Sequence, residues 1–130
     1  MLNKIIFAID NNTDFHTVAK FMRHIDTARA MGHMKGGIVM ATGYWVGELE
    51  ASYIMDEIDY RNVVEPMGYT KKQVCILHVP ADTRQPCTLE YGDDTPNETI
   101  GAMREISKEE ALDAFAWTYV QATNKYFATV

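Results

Sequence analysis

GGIVMATGYWVGELEASYIMDE, residues 36–57, decides how this chain is read. Ile38, Val39 and Met40 form a short apolar run into Ala41-Thr42-Gly43, followed by Tyr44, Trp45 and Gly47. Carboxylates then alternate with other residues: Glu48, Leu49, Glu50, Ala51, Ser52, Tyr53, Ile54. Two period-2 runs broken by Gly43 and Gly47 predict a pair of antiparallel strands joined by a tight, glycine-assisted connection. Alternation puts Glu48 and Glu50 on one face of the second strand. On a solvent-facing strand they are ordinary surface charges. Their company of Tyr44, Trp45, Ser52 and Tyr53 points instead to a small, flat cation, because an aromatic face contributes roughly 0.5–2 kcal/mol per cation contact.

Working outward, Lys4–Ile9 is a near-continuous apolar run, as expected of a strand buried on both faces. Thr13 or Asn12 is placed to cap a helix over residues 15–31, where Phe15, Val18, Ala19, Met22, Ile25 and Ala28 recur at helical spacing and Gly32 follows. Tyr60, Val63, Val64 and Met67 suit a short helix that Pro66 and Gly68 truncate. Strands are predicted over residues 73–79 and 87–91, and an extended piece over 100–106. Ser107-Lys108-Glu109-Glu110 is a capping box opening a last helix through Ala111, Leu112, Phe115, Trp117 and beyond. The resulting order predicts a single α+β domain over residues 1–130, an antiparallel-rich sheet with helices on one face, with a ferredoxin-like, PII-like sandwich as the expected core. Sandwiches of this size leave sheet surface open, and Trp117, Tyr119, Tyr126 and Phe127 read either as core or as a surface closed by a further copy.

The charge of −6, with no basic cluster, argues against a nucleic-acid-binding face. No run approaches the ~18 apolar residues of a membrane span, and residues 4–9 lack the features of a signal segment, so a cytoplasmic address with Cys75 and Cys87 as free thiols is expected. His16, His24, His33 and His78 lack the spacing of metal ligands, and Met34-Lys35-Gly36-Gly37 lacks that of a phosphate loop. Neither Cys75 nor Ser52 lies in a nucleophile motif, and no metal site is expected.

Along most of its length the chain resembles the small phage-encoded S-adenosylmethionine lyases, also called S-adenosylmethionine hydrolases. The resemblance rests on an ordered series. It comprises the N-terminal strand, Thr42-Gly43-Tyr44, Glu50-Ala51-Ser52, Val74-Cys75-Ile76-Leu77 leading through Thr83 to Leu89-Glu90-Tyr91-Gly92, and Ile100 to Ile106 around Gly101 and Glu105. It implies a cofactor-independent homotrimer with active sites between subunits, splitting S-adenosylmethionine into methylthioadenosine and homoserine lactone and so depleting the methyl donor of host restriction–modification systems. It further implies Glu50 as the catalytic acid, with Glu48 the open alternative, and Tyr44, Glu48, Ser52 and Thr42 as substrate-binding residues. Two rivals stand beside it. One is a PII-like trimer that binds adenine ligands without consuming them, for which Lys35, Arg84 and Arg104 are the available phosphate donors. The other is an acidic phage protein that blocks a basic partner.

Overall fold

The computed structural model describes residues 2–45, 47–73, 75–92 and 94–129. Among the described residues, nine strands form one antiparallel sheet: β1 (Lys4–Phe7), β2 (Ile38–Trp45), β3 (Glu48–Asp56), β4 (Cys75–Val79), β5 (Thr88–Tyr91), β6 (Glu98–Thr99), β7 (Met103–Ile106), β8 (Ala116–Val120) and β9 (Lys125–Thr129). Their order across the sheet is β6-β5-β4-β1-β3-β2-β8-β9-β7. Helix α1 (Phe15–Ala30) joins β1 to β2. The helical stretch 57–67, here α2, joins β3 to β4 and widens into a π-helical turn at Tyr60–Val64. A short α3 (Lys108–Asp113) precedes β8.

The sheet is curled, and chain connectivity requires it. β6 and β7 lie at opposite ends of the strand order. In a flat sheet of this width, strand spacing would hold them about 38 Å apart. Yet Thr99 and Met103 are four residue steps apart, a span of at most about 14 Å. Residues 100 and 101 run along the start of β5, with Ile100 N donating to Cys87 O (2.9 Å) and Cys87 N donating to Gly101 O (3.0 Å).

The core lies under the helices. Ile5 and Phe7 of β1, Tyr53 and Met55 of β3 and Ile76 of β4 meet Phe21, Ile25 and Ala28 of α1 and Tyr60, Val63 and Val64 of α2. Both helices therefore share one face of the sheet. Phe21 is fully buried and packs its ring against Phe7, Tyr53 and Tyr69. Arg61 pins α2 to the sheet through Glu90 (3.0 Å), which also meets His78 (3.2 Å). The Asp59 carboxylate accepts from the backbone amides of Lys35 and Gly36, fixing the 34–37 loop as a structural turn.

Three local expectations are corrected. Gly43 does not break the first run: it lies inside β2, opposite Glu50, and the turn falls at Gly47 (φ +84°), with Val46 outside the described residues. Asp14, not Thr13 or Asn12, caps α1, accepting from His16 N and from the Thr17 hydroxyl at 2.7 Å. The last helix does form on the Ser107–Glu110 capping box but stops at Asp113. The chain then makes the β8–β9 hairpin, because β8 pairs with β2 and its aromatic, β-branched sequence suits that surface. The expected 73–79 strand is described from Cys75, and Val74 lies outside the described residues.

Candidate active site

The face of the sheet away from the helices closes around a cavity of about 270 Å³. Register explains what reaches it. Tyr53 and Met55 of β3 belong to the helix-side core, so Ser52, Glu50 and Glu48 project from the other face. Across from them on β2 lie Ala41, Gly43 and Trp45. Glu48, Glu50, Ser52, Gly43 and Trp45 all line the cavity. Its remaining wall is largely apolar, with Leu77, Leu89, Ile100, Met103 and Phe127 drawn from distant parts of the chain. Cys75 and Thr118 add a thiol and a hydroxyl.

The charged groups among the described residues lining this cavity are Glu48 and Glu50. Ser52 is 4% exposed, whereas much of the Glu50 side chain remains open toward the mouth. The Glu50 carboxyl is nonetheless partly stripped of water, and this burial, followed by the like charge of Glu48, raises its pKa above the usual glutamate value. Burial likewise pushes the Cys75 thiol up, with the negative charges of Glu50 and Glu98 adding to it, so Cys75 is a protonated lining group and not an activated nucleophile. Among the described residues, no cluster of three or more His, Cys, Asp and Glu side chains is arranged to hold a metal ion.

The expected site residues thus divide between two faces. Glu48, Glu50 and Ser52 come together as the alternation implies. Thr42 and Tyr44 alternate to the opposite face of β2. Tyr44 borders the cavity, but its ring stacks on Trp117 (centroids 5.4 Å apart, planes at 11°), while the Thr42 hydroxyl accepts from Gln121 Nε2 at 3.1 Å. Trp117, which also borders the cavity, packs in turn against Tyr126, so a ladder of three rings starts at the cavity wall. Leu89, Met103, Thr118 and Phe127 escaped the sequence reading of the site. The signal available was the alternation within their own strands, which says which residues share a face but not that the faces converge.

With this geometry in place, a comparison with known families is decisive. The model of the S-adenosylmethionine lyase family matches residues 11–130. The chain belongs to that family. It is an S-adenosylmethionine lyase enzyme, and an acidic cavity suits a substrate that carries a sulfonium and an ammonium. The match includes every strand from β2 to β9 and all of the cavity wall except Ile6, Phe7 and Ala8. No curated protein matches the chain in sequence.

Proposed function

We propose that this lyase cleaves S-adenosylmethionine by reaction of the substrate with itself, giving methylthioadenosine and homoserine lactone, with Glu50 holding the reacting arm. The observation that carries this reading is the partly apolar concave cavity whose described charged lining is Glu48 and Glu50. In the reaction the substrate's carboxylate oxygen attacks its own γ-carbon. A C–O bond closes the five-membered ring, the Cγ–S bond breaks, and its electron pair leaves on sulfur as a neutral thioether. No proton moves.

Carboxylate and sulfonium charges cancel as this transition state forms, so a site poor in water favours it. A carboxylate pressed against the sulfonium would stabilise the ground state more than the transition state. Glu50 therefore pairs with the substrate's ammonium, whose charge persists throughout, and folds the arm so that oxygen and γ-carbon meet. Holding such a conformer can supply as much as roughly 7–11 kcal/mol in well-oriented systems. Ser52 steadies Glu50 or the arm, Glu48 adds attraction for the cation, and Trp45 offers a flat face at the rim.

Thr42 and Tyr44, on the outer face, serve the site of an adjoining copy in a homotrimer with sites between subunits. The exposed apolar residues Met40 and Leu49 on the same face, with Leu112 (79% exposed) and Phe115 (94% exposed), support such an assembly. The succession β1-α1-β2-β3-α2-β4, with strand order β4-β1-β3-β2, supports a ferredoxin-like core extended by the later strands. One sheet running through the whole chain supports a single domain. Consumption of the methyl donor in the cytoplasm, to the detriment of restriction–modification, is the proposed consequence, in keeping with a phage origin.

Glu50→Gln tests the assignment. It preserves shape and removes the charge. Turnover should fall on the order of 10²-fold, as for lost positioning in an oriented reaction. Turnover near the wild-type rate would remove Glu50 from the site.

A further inference from the structure

Gly43 occupies the middle of β2, where glycine weakens a strand and marks a bulge, a bend or a close approach by a ligand or another backbone. Its backbone is not in the left-handed region, unlike that of Gly32, Gly47 and Gly68, so conformation does not demand glycine there. Space does. A Cβ at this position would lie 2.8 Å from Ser52 Oγ and 3.7 Å from Glu50 Cγ, inside the cavity. The 2.8 Å contact is too short to persist, but Ser52 Oγ is a single rotor, so alanine can be accommodated by turning the hydroxyl away. Gly43 thus leaves bare backbone beside Glu50 and Ser52, two of the three polar side chains of β3 that line the cavity.

We propose that Gly43 is a specificity-determining residue: the opening over its backbone, between Glu50 and Ser52, receives the amino-acid arm of the substrate. This rests on the reading of Glu50 as the holder of the ammonium. A methyl group at position 43 would take volume beside Glu50 and Ser52 that the arm needs, so the loss should fall on ligands that carry the arm. One methyl in a binding pocket is worth about 10–200-fold in discrimination.

The test compares two unreactive ligands by calorimetric titration of Gly43→Ala. S-adenosylhomocysteine carries the amino-acid arm, and methylthioadenosine lacks it. Affinity for the first should fall about tenfold or more, while affinity for the second changes less than about threefold, and KM for S-adenosylmethionine should rise in parallel with the first. Gly43→Ala/Ser52→Ala, which removes the colliding hydroxyl, is compared with Ser52→Ala. The loss should persist in that pair and should be readable even if the single variant folds poorly. Equal losses for both ligands, no loss, or recovery in the double variant would overturn the role of Gly43. Wild-type protein that neither binds nor consumes S-adenosylmethionine would instead overturn the functional reading beneath it.

Discussion

Glu50 faces Gly43 across the β2–β3 pair, and in its proposed role of holding the substrate's cation the surroundings of its carboxyl should set the pH behaviour of the site. Burial and the Glu48 charge both oppose its ionisation. Cation binding needs the ionised form, so kcat/KM should fall as pH drops through a pKa above the ordinary 4.5. Glu48→Gln removes the like charge and should move this acid limb to lower pH. Coincident limbs for the two proteins would show that the Glu48 charge does not act on the group that governs the profile. The stability consequence has the opposite sense. A carboxyl with a raised folded-state pKa holds its proton more tightly folded than unfolded, so its unfavourable contribution is present above that pKa and relieved as pH falls through it. Glu50→Gln should therefore leave Tm at neutral pH unchanged or slightly higher while it abolishes most turnover, which a thermal melt beside the activity assay will check. Glu90 behaves inversely. Its hydrogen bond to Arg61 lowers its pKa, and the stability it contributes is lost as pH falls through that lowered value.

Among the elements, those built from local signals were legible. The Ser107–Glu110 capping box was readable in four residues and forms in both directions, Ser107 N to Glu110 Oε1 at 3.0 Å and Glu110 N to Ser107 Oγ at 3.1 Å. Ser107→Ala should cost about 1 kcal/mol of stability, measured by urea denaturation. Glu48, Glu50 and Ser52 were legible for the same reason, since a period of two needs no knowledge of partners. β8 was not legible. Its apolar spacing from Ala111 to Val120 fits a helix or a strand, and pairing with β2, distant in sequence, decides for the strand. The α1 cap was misjudged because Asn12, Thr13 and Asp14 are all competent, and the entry angle of the chain, with Asn11 at φ +54°, selects Asp14. Phe21 within α1 joins this helix to β1, β3 and Tyr69. Phe21→Ala should destabilise by about 3–5 kcal/mol, the cost of deleting a buried aromatic, and denaturation midpoints will measure it.

For the whole molecule, the decisive feature is the curl that brings β5 and the residues after β6 opposite β8 and β9. A single cavity results from side chains spread between Ile6 and Thr129, which no local pattern announces. Curling leaves an aromatic ladder on β2, β8 and β9 beside the exposed Leu49 and Phe115, and this is the surface proposed for contact with other copies. Sedimentation should give three times the 14.8 kDa chain mass, and Phe115→Glu should lower it; a monomer in the wild type would contradict the shared site. The most direct test of the central claim is chromatography of the products formed when the purified protein is incubated with S-adenosylmethionine. Methylthioadenosine and homoserine lactone appearing together, the lactone before homoserine, is the expected result. Homoserine appearing first would make water, not the substrate's own carboxylate, the nucleophile, and the absence of methylthioadenosine would contradict cleavage altogether.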